Sequence, residues 1–567
     1  MGKIRNKQIS SHHIGNSYYN LIYPLKNKTM KIKTILMSML AIAALAGCNK
    51  DPEVATINQQ NGDAGVAYIS VNVFTPTAMA SRASGEQPGV APAENDIRKI
   101  YAVTFDSSGN IIVYEQATPS PTVAQVLDIS GSSSKPAAFC ISSNAKGLLL
   151  VVNPGTQLEA VLTSATEGMS FDDLNKAITS TSKVDEIVDI ALNGKGFAMI
   201  NSGNALATSE TDVTPNYKLS LIDISGKMQV VGEGTGQHLN ADAAKQAAEL
   251  DNNRVKVGIE RLASKIMVAE KENGATATGA SFEFTGWVID AVNTKFYPWA
   301  KKIDTGSAVG GTPQFYTNNF YTVDPNYDNS TGITYNEIVN FAPVVTWLGD
   351  KDSTYSIENT MRDNEQRFKN ATRVVIKSNY YPEDGWSGDW FRFGQTNYES
   401  FADLKTAYEV PTNENLQAAC EKFFAKIKTV YNGADVDFST KTSFADLTAA
   451  EFVFVTDNIQ NGGEVVKENT ACIRWYQKGL TYYWYEIRHD DAITGDNAFG
   501  KYGIVRNNWY LLTINSVSKP GTPWYPSITE PGEGDPDPGD LIDEMEGYLA
   551  VEVQVMPWVK WSHSIDL

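Results

Sequence analysis

Two short runs at opposite ends of this chain obey the same rule. Tyr68–Val73 reads YISVNV and Tyr548–Val553 reads YLAVEV. Side chains alternate between the two faces of a strand, so each run places three aliphatic residues on one side. These are Ile69, Val71 and Val73 in the first, and Leu549, Val551 and Val553 in the second, with Val555 continuing the series. Such a stripe must be buried against a second layer, so both segments predict strands of a layered β fold. A patch of small residues around one arginine, TAMASRASGEQPG, follows the first run. A stretch rich in proline, glycine and acid, 519–547, precedes the second.

The intervening sequence carries the same grammar. IRKIYAVTF and IIVYE flank a Ser-Ser-Gly-Asn turn and predict a hairpin. KGLLLVVNPG is a continuous apolar run closed by a turn, as in a strand buried on both faces. RVKVGIERLASKIMVAEK alternates over the length of two strands, with a domain boundary placed just before it near Asp251. ACIRWYQKGLTYYWYEIRH predicts two arms around Lys478-Gly479, and YGIVRNNWYLLTINSVS a strand pair broken at Asn507-Asn508. Helices are few. Ala241–Leu250 is rich in alanine, and Leu416, Cys420, Phe423, Phe424, Ile427 and Tyr431 form one helical stripe. Ser-Phe-Asp-Asp-Leu at Ser170, and Ser-Phe-Ala-Asp-Leu at Ser400 and Ser443, predict three capped helix starts.

The N-terminus describes export. Met30-Lys-Ile-Lys is basic, Ile35–Leu45 is apolar but too short to span a bilayer, and Leu45-Ala-Gly-Cys48 completes a lipobox. Cys48 is the expected lipidation site. Residues 1–29 precede a whole signal peptide and are read as an over-long start. Residues 1–47 hold seven Lys or Arg and no Asp or Glu, so their removal deepens the formal charge from −19 to −26. So acidic a surface repels nucleic acid and anionic lipid.

Catalytic chemistry is not written here. His238, His489 and His563 are the histidines after the signal, far apart and without metal-ligand spacing. Cys140, Cys420 and Cys472 are widely spaced and give no metal pattern. Gly232-Glu-Gly-Thr-Gly236 reads as a flexible loop, and Asp535-Pro-Asp-Pro-Gly lacks the closing glutamate of a calcium loop. The cluster YYPEDGWSGDWFRFG, with Tyr381, Trp386, Trp390, Asp384 and Asp389, has the side chains to stack on a sugar. Aromatics buried beneath a loop are the better expectation.

With the lipobox and the Arg82 loop in place, FGKYGIVRNNWYLLTINSVSKPGTPW and the ending LAVEVQVMPWVKWSHSIDL resemble the Mfa-like fimbrilins, shaft subunits of the type V pili of Bacteroidia. The resemblance implies a mainly β fold of two transthyretin-like β-sandwich domains with a few short helices, no enzymatic activity and no cofactor or metal. It implies an outer-membrane lipoprotein precursor, lipidated at Cys48, that becomes part of a cell-surface fimbrium. An arginine-specific surface protease would cut Arg82–Ala83, the strand holding Ile69, Val71 and Val73 would leave, and the tail of another copy would fill the groove by donor-strand exchange. Tip and anchor fimbrial proteins are the further partners implied. The segments expected are a propeptide 48–82, domains 83–251 and 252–518, a spacer 519–547 and a donor tail 548–567. Arg98 is the competing cut site. A tip adhesin, or a glycan- or host-binding lipoprotein of the same fold, is the alternative function.

Overall fold

The computed structural model describes residues 65–74, 94, 96–114, 123–179, 187–189, 196–201, 206–207, 221–299 except 273, 276 and 278, 301–304, 320–327, 338–339, 346–490, 493–544 and 549–557. All of them lie in the unit Pro52–Leu567. Cys48, Arg82, Ala83 and residues 558–567 lie outside the described residues.

The fold is mainly β, as expected. Its first half is built from β1 Val66–Ile69, β2 Val71–Phe74, β3 Ile100–Phe105, β4 Gln125–Val126, β5 Phe139–Ser142, β6 Gly147–Val152, β7 Met199–Asn201, β8 Gln229–Val230 and β9 Val255–Arg261. One sheet has the order β8-β1-β5. The other runs β2-β9-β7-β6-β3-β4, with Ile222–Asp223 also on β6. Both sheets feed one apolar core that includes Ile69, Val71, Ile141 and Val257. The apolar run of β6 is buried at every position, as its composition requires. Helices α1 Thr156–Ser164 and α2 Phe171–Leu174 add Leu158, Leu162, Phe171 and Leu174 to the same core.

The second half repeats the layering. Its strands are β10 Ala263–Glu270, β11 Ser281–Asp290, β12 Ser353–Ile357, β13 Arg373–Tyr381, β14 Trp390–Phe393, β15 Thr396–Tyr398, β16 Arg474–Tyr476, β17 Leu480–Glu486, β18 Asn508–Val517 and β19 Leu549–Pro557. A four-stranded sheet β12-β10-β18-β19 faces a three-stranded sheet β11-β13-β17. Between them lie Ile266, Val268, Tyr510, Leu512 and Ile514 from one side and Trp287, Ile289, Val374, Ile376 and Tyr483 from the other. The change between halves falls at Leu262, not near Asp251. β9 still belongs to the first half, pairing with β2 and β7, while β10 opens the second. The polar run Asp251-Asn-Asn marks only a turn after the helix α3 Ala241–Ala248.

A small helical unit is inserted between β15 and β16. It comprises α4 Phe401–Tyr408, α5 Glu414–Val430, α6 Ala449–Asn458 and α7 Gly462–Val466. The stripe Leu416, Cys420, Phe423, Phe424 and Ile427 is buried on α5, as the helical period predicts. Phe391 and Trp475 from the neighbouring strands close that core. Ser170 and Ser400 each accept a hydrogen bond from the amide three residues on, and Ser443 forms a capping box with Asp446.

Three strand readings need correction. Ile111–Val113 makes only an isolated bridge, Phe105 to Ile111, instead of a full hairpin arm. The arms around Lys478-Gly479 do not pair with each other: β16 pairs with β14 and β17 with β13. Both Lys478 (φ 54°) and Gly479 (φ 74°) are left-handed, which turns the chain from one sheet into the other. The predicted pair around Asn507-Asn508 is a single strand, β18, with left-handed Asn507 just before it.

The stretch expected to stand clear as a spacer is instead laid against the second half. Thr522 and Tyr482 exchange backbone hydrogen bonds of 2.8 and 3.0 Å. Trp524 is fully buried and donates its indole N–H to Asp535 at 2.9 Å. A Cβ on Gly463 would stand 2.1 Å from the Pro523 carbonyl, so this close approach requires glycine. Asp543 accepts from Lys501 Nζ at 2.8 Å and from the Tyr502 hydroxyl at 2.8 Å. Proline keeps the segment out of a ladder interior, yet it does not prevent such point attachments.

Two outcomes follow. Phe423 is 2% exposed, and Phe423→Ala should cost about 3–5 kcal/mol in chemical denaturation without shifting the far strands. Asp535 has its pKa pushed up to about 6 by burial, against the opposing pull of Gly532, Trp524, Lys467 and Arg474. A carboxyl raised in the folded state adds stability that is full below its unfolded pKa and is lost as pH rises through about 6. Denaturation of Asp535→Asn between pH 4 and 7, compared with the parent chain, should therefore show a shallower loss of stability as pH rises.

Candidate assembly interface

The run Val66–Phe74 is one extended segment shared by two sheets. β1 pairs antiparallel with β5, in the register Tyr68 to Cys140 and Ile69 to Phe139, and with β8 on its other edge. Beyond Ser70, β2 pairs in parallel with β9, in the register Val71 to Val255 and Asn72 to Lys256. Its alternation is obeyed throughout. Ala67, Ile69, Val71 and Val73 all enter the first core and are at most 2% exposed. On the opposite face Val66 and Tyr68 lie beneath α3, against Ala244, Ala248 and Cys140. Lys245 Nζ stands 5.4 Å from the Tyr68 ring centre. Asn72 is half-buried and Phe74 exposed.

Ser70 is the joint. It is fully buried, and its hydroxyl donates to the Pro136 carbonyl at 2.9 Å. Arg254 donates through one guanidinium nitrogen to Ser70 Oγ and to Pro136 O at 3.0 Å, and through Nε to Glu249 O at 3.0 Å. The Ser70 carbonyl accepts from the Val255 amide at 2.8 Å. The hydroxyl is thus hydrogen-bonded on one side to the proline carbonyl and on the other to the guanidinium.

Downstream of Arg82, at the next described residue, the chain is pinned again. Glu94 is fully buried, and its Oε1 accepts from Lys265 Nζ and from the Tyr355 hydroxyl, each at 2.8 Å. Its carbonyl accepts from Arg261 Nε at 3.0 Å. Burial lowers the Arg261 pKa to about 10, with Glu94 and Tyr355 opposing the fall. Arg98 has an exposed side chain, but its amide donates to Asn153 Oδ1 at 2.9 Å and its guanidinium to Asp96 at 3.1 Å.

The tail does not stand free. β19 pairs antiparallel along β18, from Asn508 opposite Pro557 to Val517 opposite Leu549, with an irregularity between Ile514 and Ser516. It is an edge strand of its own domain. Val551 and Val553 pack partly buried against the second core, while Ala550 and Glu552 are exposed. The side chain of Val555 lies outside the described residues.

The other candidates are structural. Trp390 is fully buried, stacks on Tyr476 at 3.8 Å, and donates to the Tyr380 carbonyl at 2.8 Å. Asp389 accepts from Thr456, the Trp475 indole and the Lys478 amide at 2.7, 2.7 and 2.9 Å. Trp390, with Tyr381 and Trp386 packed beside it, therefore belongs to the core between the sheets of the second half, without an open face on Trp390 for a sugar. Cys140, Cys420 and Cys472 are all free and buried. Burial and the neighbouring Glu533 push the Cys472 thiol up to about 12. Among the described residues no cluster of His, Cys, Asp and Glu could hold a metal ion. Sequence reading missed Ser70, Glu94, Arg254 and Lys265. Nothing in their local patterns marks them, because each acts through residues distant in the chain.

Comparison with known proteins gives one family match. Residues 474–564 match the family described as major fimbrial subunit protein type IV, fimbrillin, C-terminal. This span holds β16 to β19. Three solved structures are similar at low scores. A putative cell adhesion protein from Parabacteroides distasonis is 11% identical, covering 88% of this chain and 98% of that one, with a TM-score of 0.35. The fimbrilin from Porphyromonas gingivalis is 13% identical over 88% and 98%, with a TM-score of 0.32. The tip fimbrial protein Mfa3 from the same organism, with C-terminal truncation, is 11% identical over 87% and 100%, with a TM-score of 0.31. Residues 474–564 are thus similar to the C-terminal region of the fimbrillin family, in agreement with the resemblance of this chain's sequence to fimbrilins.

Proposed function

We propose that this chain is a shaft subunit of a cell-surface fimbrium, made as an outer-membrane lipoprotein through Cys48 and activated by an arginine-specific protease cutting Arg82–Ala83. Loss of the first strand opens a trough, and the tail of a second copy fills it. Tip and anchor fimbrial proteins would end the filament. One observation carries the reading: Val66–Val73 is buried on its core face throughout and completes both sheets of the first half.

Two energies set the demand. Each aliphatic side chain withdrawn from the core gives up about 1.5–3 kcal/mol of burial. Each buried amide or carbonyl left unpaired costs about 1–3 kcal/mol more. A cut chain therefore has strong reason to accept a strand of the same alternation. The Glu94 anchor favours Arg82 over Arg98. Cutting at Arg82 leaves Glu94 on the retained chain, so the Lys265 and Tyr355 bonds survive. Cutting at Arg98 would remove Glu94 and leave Lys265, 6% exposed at its side chain, without that carboxylate.

A tip adhesin or glycan-binding lipoprotein is the second reading. A tip needs to receive a strand but not to donate one, so the alternating tail favours the shaft. Arg82→Ala should block filaments after exposure to an arginine-specific protease and leave folded monomers that retain Val66–Phe74. Arg98→Ala should polymerise like the parent chain. Electron microscopy and size-exclusion chromatography of both variants check this. Normal filaments from Arg82→Ala would contradict the cut site.

A further inference from the structure

Resting on that donor-strand reading, the two faces of Val66–Phe74 also fix how a second copy's tail must seat. The core face alone does not decide. Running in the same direction as the strand it replaces, the tail can present alternate aliphatic residues in two registers, two residues apart. In the first, Leu549, Val551 and Val553 stand where Ile69, Val71 and Val73 stand. In the second, Leu549, Val551, Val553 and Val555 stand at Ala67, Ile69, Val71 and Val73. Both satisfy a period-two stripe.

The opposite face separates them, because it is buried over Val66–Ser70 and open beyond. In the second register Glu552 would enter the place of Ser70, which is fully buried between Pro136 and Arg254. Glutamate is much longer than serine, and even paired with Arg254 its carboxylate would displace the guanidinium from Pro136. Ala550 would stand at Tyr68 and leave the space beneath α3 empty, while Leu549 would overfill the place of Ala67, which is 0% exposed. In the first register each requirement is met. Gly547 takes the small Ala67 position, Tyr548 repeats Tyr68 below Lys245, and Ala550 fits the Ser70 slot. Glu552 then falls at half-buried Asn72, opposite exposed Lys256, and Gln554 at exposed Phe74.

We infer that the tail of a second copy is read through the slot formed by Arg254 and Pro136, which admits Ala550 and thereby sets the register of assembly. The slot is a specificity determinant that the aliphatic stripe cannot supply. It requires a small residue one place before Val551, and it rejects tails that carry a long side chain there. Ala550 is exposed on β19 in the monomer, so enlarging it leaves the monomer core untouched.

The native thiol of Cys140 provides the test. Cys140 stands directly opposite Tyr68 across the antiparallel pair. Directly opposed residues in such a pair have Cα atoms about 4.5–5.5 Å apart, within the range of a disulfide. Diagonal neighbours lie about 7–8 Å apart, beyond it. Tyr548→Cys and Ala550→Cys chains would each be cut, assembled with an excess of unsubstituted chain, oxidised with diamide and run on non-reducing gels. The expected result is a covalent dimer from Tyr548→Cys that is lost in a Cys140→Ser background, and none from Ala550→Cys. A dimer from Ala550→Cys instead would establish the second register and overturn the inference. Filaments with neither dimer would show that this tail segment is not the donor, which defeats the underlying reading as well. Ala550→Leu is an independent arm. It should abolish polymerisation while leaving the monomer's melting curve unchanged, and normal filaments from it would overturn the slot.

Discussion

The structure turns on a fully buried serine. At Ser70 the first strand leaves one sheet and enters the other, and Arg254 ties the crossing point to Pro136 and to the turn after α3. A strand that ends in one sheet could be lost at the expense of one edge. This one closes both sheets of the first half, and its core-facing side chains are at most 2% exposed. The remaining elements of that half are arranged around a segment that precedes the candidate cleavage site in the sequence. The segment's contribution is large, and so is the incentive to replace it.

The described residues on the two sides of Arg82 are held differently. Upstream lies the strand that the proposal removes. Downstream, Glu94 is held by Lys265, Tyr355 and Arg261, all from the region where the first half gives way to the second. A buried ion pair is a poor source of net stability, but breaking one by removing a single partner is costly. Such a contact suits a boundary that must hold while its neighbour leaves. The tail shows the complementary compromise. On β18 it is an edge strand with Val551 and Val553 only partly buried and Glu552 exposed. In the trough the same valines would be enclosed. Under the proposed exchange, the difference in burial between the two sites would supply a driving force without any new kind of contact.

Periodic features were legible from the residues alone. The α5 stripe follows a 3.6-residue period, β6 announces itself by an unbroken apolar run, and the serine caps recur with their carboxylates three residues on. Tertiary decisions were not legible. YISVNV reads as one strand because alternation does not reveal which sheet each half joins. The arms around Lys478-Gly479 look like a hairpin, yet left-handed backbone at both residues sends them to different partners. The 519–547 stretch looks like a spacer because proline and acid dominate it. Its attachment depends on Thr522 meeting Tyr482 and Asp543 meeting Lys501, groups far away in sequence. The residues that the candidate interface relies on most, Ser70, Arg254 and Glu94, are single polar positions whose meaning exists only in the folded chain.

The central claim is that a filament contains subunits lacking their own first strand. N-terminal sequencing of subunits taken from filaments on the native cell measures this directly. The account predicts a start at Ala83, with Tyr68–Val73 absent from the assembled chain. A start at Lys99 would move the cut to Arg98 and dissolve the role given to Glu94. Filament subunits that retain residues 66–74 would contradict the account, because the trough would then be filled from within and no second copy could enter it.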